Sequence, residues 1–252
     1  FYSYQIPCEK IKKRIRNVLT LLIFAVVCYN IFEIATLLYW NIDGLYALLG
    51  KYTDFSTFIN LLIFNVPVSS VHLWYLFAIL YVYVIFYFMT KFRIKDKIVF
   101  IISLLLLILH IVLGEGLSVV GIKLPIPFVR NFAVMGMPFF ALGLFVKKYE
   151  HKFKTIPNYF ILASILTGVF ESIISRCIFG ENELYIGSLF ILFAIVCVFI
   201  KYKDIKYPSF LTALEGCSTY IYIFHIMIST VINIAYGVLH IDIYSSIILE
   251  NL

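Results

Sequence analysis

Charge is scarce in this 252-residue chain. Only 13% of its residues are Asp, Glu, Lys or Arg, against about 25% in ordinary soluble domains. That deficit excludes a water-soluble globule, a disordered chain and a nucleic-acid binder. Helix breakers are few as well, with 7 prolines and 12 glycines, and no low-complexity tract or internal repeat is present. The five cysteines form no C-x-x-C pair and no metal-ligand spacing, so neither a disulfide framework nor a metal site is expected. Three of them lie in or beside apolar runs, where a free thiol behaves as a small hydrophobe. No G-x-x-x-x-G-K-[ST], G-x-S-x-G or H-E-x-x-H motif occurs. No signal peptide is visible, because the first long apolar run lies beyond a basic cluster and exceeds a signal core in length.

What remains is apolar: 63% of the chain is hydrophobic and 18% aromatic. A membrane crossing takes about 20 residues, and charge punctuates the apolar runs into seven candidate spans. They are Val18–Tyr39, Leu73–Thr90, Ile98–Leu113, Phe128–Val146, Asn158–Ser175, Leu184–Ile200 and Ala213–Val238. The runs are continuously apolar rather than alternating, which favours helices over barrel strands. The fold class expected is therefore all-α, a polytopic transmembrane helix bundle forming one domain over residues 1–252. Phe55–Val68 is apolar but short, and Asn60, Asn65 and Pro67 interrupt it, so an interfacial or re-entrant segment is expected there. The chain opens on Phe1 rather than Met, and we read it as a fragment.

Basic residues alternate across these spans. The clusters Lys10–Arg16, Lys91–Lys97, Lys147–Lys154 and Lys201–Lys206 hold sixteen Lys and Arg, whereas the intervening segments hold only Lys51, Lys123, Arg130 and Arg176. By the positive-inside rule the basic clusters are cytoplasmic, which fits a plasma-membrane protein. Isoleucine, lysine, phenylalanine and tyrosine are abundant, a composition that suggests a bacterial source.

Ionisable side chains at membrane depth are costly, so those present are candidates for function. Glu33, His110, Glu171 and His225 fall inside spans, with His72, Arg130 and Arg176 at outer span ends. Ser164, Gly168, Glu171 and Ser175 are spaced to share one helix face, as are Ser218, Tyr222, His225 and Ser229. These stripes predict a polar cavity open to the outside, fit either for a polar acceptor or for the path of a transported solute. Each residue also has a plainer reading. Glu171 can pair with Arg176 to hold helices together, His225 can be a satisfied core imidazole, and Arg130 and Arg176 can snorkel to headgroups. Gly136, Pro138 and Gly143 predict a kink and a close helix contact in the fourth span.

Several stretches together resemble the membrane acyltransferase-3 superfamily, in the branch that includes the membrane domains of vancomycin-resistance serine racemases. They are His72-Leu73-Trp74-Tyr75-Leu76-Phe77-Ala78, Arg130-Asn131-Phe132 followed by Gly136–Gly143, Glu171-Ser172, and Ser218–His225. The basic run Lys12–Arg16 sits where that family has a cytoplasmic Arg-rich loop. The resemblance implies a bundle of ten helices, of which about seven are in this fragment, with the family's primary catalytic His upstream of Phe1. It implies transfer of an acyl group, usually acetyl, from cytoplasmic acyl-CoA to a hydroxyl on an extracytoplasmic cell-envelope glycan or lipid-linked acceptor, without a metal. Glu171 and His225 are then the catalytic candidates in this chain. Arg130, Glu33, His72 and Arg176 would contact the acceptor, and Arg14 and Arg16 the phosphates of acyl-CoA. A small-solute or amino-acid transporter using the same outward cavity is the competing expectation.

Overall fold

The computed structural model describes residues 7–40, 42–68, 70–203 and 209–238. Lys206, counted in the last basic cluster, lies outside them. Every regular element among the described residues is helical. They run α1 (Cys8–Trp40), α2 (Ile42–Thr53), α3 (Phe55–Phe64), α4 (Trp74–Lys91), α5 (Asp96–Ile111), α6 (Leu117–Val119), α7 (Ile126–Val129), α8 (Met137–Lys148), α9 (Glu150–Lys154), α10 (Asn158–Phe179), α11 (Ile186–Tyr202) and α12 (Ser209–Val238).

Among the described residues, six segments are long and apolar enough to cross a membrane: Cys8–Leu38, Val71–Lys91, Asp96–Val119, Ile126–Lys148, Asn158–Phe179 and Cys217–Tyr236. The seventh expected span is α11, apolar but only 17 residues long, or about 25 Å at 1.5 Å per residue. That is the lower limit of length for a crossing. Large apolar side chains such as Ile31, Phe170 and Phe199 stand more than 60% exposed. Water would not tolerate so continuous an apolar surface, whereas lipid does.

The stretch between the first two expected spans contains α2 and α3. Asp54 caps α3, its carboxylate accepting the Ser56 N–H at 3.2 Å. Asn65 ends α3 in the left-handed conformation, at φ 51°. The third span runs further than charge punctuation suggests, because a π-helical turn at Val112–Gly116 carries α5 on into α6. Glu115 thereby enters the bundle, 5% exposed. The fourth span is interrupted rather than merely kinked. After α7, Asn131 restarts the chain by accepting the N–H groups of Ala133 and Val134, and a second π-helical turn leads into α8. A Cβ on Gly136 would lie 3.1 Å from Val82 on α4, which explains that close contact; Gly143 faces open space and makes none.

Two apolar cores organise the helices. In one, Leu22, Ala25 and Tyr29 of α1 meet Leu73, Leu76 and Ile223, joining α1, α4 and α12. In the other, Ile161 packs on Ala194 and Cys197, making α10 and α11 a hairpin.

Candidate functional site

The first core carries the polar group with the most chemistry. Tyr29 is 4% exposed, and its hydroxyl donates to the Ile223 carbonyl at 2.6 Å while accepting the Met227 N–H at 3.2 Å. Ile223 and Met227 are one turn apart, so a side chain of α1 is inserted into the backbone ladder of α12. The His72 ring lies 4.6 Å from that of Tyr29, centroid to centroid, and its Nε2 is 3.3 Å from the same Ile223 carbonyl. The Tyr222 hydroxyl donates to the His72 carbonyl. His225 then completes the group, its ring 5.7 Å from that of His72 and its Nδ1 2.7 Å from the Tyr222 carbonyl.

Those contacts fix the tautomers. A carbonyl oxygen only accepts, so in the neutral rings His72 bears its proton on Nε2 and His225 on Nδ1. Each imidazole is left with one bare nitrogen, Nδ1 on His72 and Nε2 on His225. His225 is exposed from the bundle, whereas His72 is half-buried. Nε2 of His225 makes no hydrogen bond among the described residues.

Arg130 stands beside this group. Its guanidinium is 5.5 Å from the centre of the Trp74 ring and 3.7 Å from the Glu183 carboxylate. Tyr75 links the two, its ring 6.0 Å from Trp74 and 5.6 Å from Tyr222. Glu33 is half-buried on α1, where Lys51 of α2 is its charged neighbour. One turn before it, Asn30 accepts a hydrogen bond from Tyr52.

Glu171 belongs to a different group of partners. The Ser175 hydroxyl is 2.8 Å from Glu171 Oε1 and 2.6 Å from Glu115 Oε1. The other carboxylate oxygens accept from the start of α11, Glu115 from Ile186 N at 2.8 Å and Glu171 from Gly187 N. Two carboxylates thus satisfy the orphan amides of a helix N-terminus, where the helix dipole favours negative charge. The stripe of α10 from Ser164 to Glu171 faces α11: Ser164 donates to the Phe190 carbonyl at 2.9 Å, and Gly168 abuts Gly187. That stripe packs a hairpin, while the Tyr222–His225 stripe of α12 meets His72. Arg176 pairs with Glu181 rather than Glu171. His110 is 1% exposed on α5, against the backbone of Val129.

Arg14 and Arg16 project from the basic first turns of α1, both exposed. Along the helix Arg14 lies about 22 Å from Tyr29, at 1.5 Å per residue. A ligand with phosphates at one end and a reactive group at the other could bridge the two. No group of three or more potential metal ligands occurs among the described residues.

Two residues escaped the sequence reading. Asn65 is fully buried, its Nδ2 donating to the Trp74 carbonyl at 3.1 Å and its Oδ1 accepting the Phe132 N–H at 2.7 Å. It fixes the start of α4, and so His72 and Trp74, against the restarted fourth span. Its interruption of an apolar run was the available signal. Glu115 sat between two glycines and read as loop.

Residues 4–249 match the family model described as an acyltransferase domain. No curated protein and no solved structure matches the chain.

Proposed function

The chain belongs to the acyltransferase-3 family, and from that premise we propose that it moves an acetyl group from acyl-CoA to a hydroxyl of a cell-envelope glycan. The observation that carries this reading is His225, an exposed residue whose ring is oriented through Nδ1 by the Tyr222 carbonyl, which leaves Nε2 without a hydrogen bond among the described residues. An imidazole so held is a general base. It takes the proton of the acceptor hydroxyl as that oxygen attacks the thioester carbonyl carbon. The carbon–sulfur bond then breaks, and the departing thiolate takes the proton back from the imidazolium.

His72 keeps His225 in place through ring contact, and Arg130 and Glu33 contact the polar acceptor on the outer side. Arg176 contributes at the acceptor's far end. Glu171, bonded to the start of α11, positions the hairpin that borders the acceptor. Arg14 and Arg16 hold the phosphates of acyl-CoA, for which guanidinium is well suited. The basic ends then face the cytoplasm of a bacterial cell, and the acceptor lies outside. No metal enters the reaction.

The test is the purified full chain in lipid vesicles with labelled acetyl-CoA and isolated envelope glycan. His225→Ala is expected to lower the rate of labelling at least about 100-fold, the smaller end of what a general base contributes. His225→Gln is expected to be as inactive, though it keeps a polar side chain. Labelling at the wild-type rate in both variants would remove His225 from the chemistry.

A further inference from the structure

The α10–α11 hairpin carries a groove that the Tyr29–His72–His225 group does not use. On α10 its wall is Phe160, Ala163, Ser164 and Thr167, and on α11 it is Leu189, Phe190 and their neighbours. Both sets repeat at three and four residues, so each is one face of its helix. The α10 face is mostly small and the α11 face bulky, which leaves a trough of about 890 Å³ between them. Two of its three hydroxyls are spent on backbone, Ser164 donating to the Phe190 carbonyl and Thr155 to the Lys152 carbonyl, which leaves that of Thr167. Such a lining suits hydrocarbon and offers little to a polar solute.

One end of the trough changes character. A second cavity of about 400 Å³ shares Ile156 and Phe193 with the first and ends at Tyr149 and Lys152. Neighbouring lysines are matched: Lys147 and Lys203 both bind Glu150, and Lys148 binds Asp96. Lys152 is exposed and meets no carboxylate among the described residues; its ammonium lies 5.4 Å from the Tyr149 ring. The groove therefore runs from an uncompensated positive charge into an apolar trough. From the start of α10 at Asn158 to Thr167 it covers about 14 Å of helix, nearly half the roughly 30 Å hydrocarbon thickness of a bilayer. That length is too short to seat a spanning helix and matches one leaflet.

We infer that this groove holds an anionic glycerophospholipid, with acyl chain between α10 and α11 and phosphate at Lys152. The lipid would complete the packing of a hairpin that has one open face, independently of the acyl-transfer chemistry.

The experiment uses the full chain in nanodiscs of phosphatidylcholine and phosphatidylglycerol in equal amounts, with retained lipid weighed by native mass spectrometry. Phosphatidylglycerol is expected to be retained about fivefold over phosphatidylcholine, the ratio one lysine gives at an anionic surface. Lys152→Gln is expected to abolish that preference. Ala163→Phe, at an exposed position inside the trough, is expected to lose the adduct, while Leu162→Phe, exposed but absent from the lining, keeps it. Equal retention of the two lipids overturns the inference. So does an undiminished adduct in a folded Ala163→Phe protein, or a dimer mass in place of a lipid adduct. Should Ala163→Phe fail to fold, the Lys152→Gln preference decides alone.

Discussion

At the scale of single residues, buried polar atoms divide into those that are spent and those left over. Among the described residues the latter include both ring nitrogens of His110 and the hydroxyl of Ser103. Tyr29 serves both as donor and acceptor within the α12 ladder, and Asn65 spends both ends of its amide on backbone groups of two other segments. Removing the Asn65 side chain strands a buried N–H and a buried carbonyl, each costing about 1–3 kcal/mol when unsatisfied. Asn65→Ala is therefore expected to lower stability by about 3 kcal/mol, read as a shift in the denaturation midpoint in detergent. It should also lower activity by loosening the start of α4. A shift within error would mean that Asn65 does not join α4 to the fourth span. The sequence offered Asn65 only as a polar interruption, because its two partners lie 9 and 67 residues away. His225 differs, since its carbonyl partner is three residues back on the same helix, and spacing on α12 already placed Tyr222 beside it.

At the scale of elements, α10 and α11 depend on the absence of side chains where they cross. A Cβ on Gly168 would lie 2.6 Å from the Gly187 carbonyl oxygen and 2.8 Å from Ile191, and the backbone of a packed helix yields little. Gly168→Ala is expected to destabilise the hairpin by about 1–3 kcal/mol, as overpacking does. Limited proteolysis at the Gly180–Tyr185 turn would report it as faster cleavage. Unchanged cleavage would show that the helices have room to part. Gly180 itself ends α10 at φ +78°, a conformation that glycine adopts without strain.

The other end of the hairpin is fastened by charge. Glu150 bonds to Lys203, just past the end of α11, and to Lys147 of α8, and these ammonium groups hold its carboxyl well below the usual carboxylate range, at about 2. A carboxylate depressed in the folded state stabilises it above the unfolded value of 4.5. That contribution fades as pH falls from 4.5 towards 2. Between those limits Glu150→Gln is expected to flatten the pH dependence of α11 protection in hydrogen exchange, and above pH 5 to lower protection uniformly. An identical pH profile in wild type and variant would mean the fastening is screened by solvent.

For the whole molecule the decisive quantity is which end of each helix is basic. Lys95 lies in the short connection between α4 and α5, and Cys177 is exposed near the end of α10 that leads away from the lysines. Both were assigned from the alternation of charge, Lys95 to the inner side and Cys177 to the outer. A variant whose single cysteine is Cys177 is expected to react with a membrane-impermeant maleimide in intact cells. A protein otherwise free of cysteine and bearing Lys95→Cys is expected to react only after permeabilisation. The reverse pattern would invert the orientation and move Arg14 and Arg16 away from cytoplasmic acyl-CoA.

Helix positions, the apolar outer surface and family membership were legible in the chain itself, because each depends on runs of neighbouring residues. Lipid solvates apolar side chains wherever they lie, so hydropathy alone states that a segment crosses. The partners of the ionisable residues were not legible. Glu171 and His225 stand on helices with equivalent polar stripes, yet one stripe meets α11 and the other meets His72. Glu115 joined the bundle because a π-helical turn extended its span past two glycines. Such pairings link residues 16 to 198 positions apart. They are set by which helix faces dock together, and only the tertiary structure decides that.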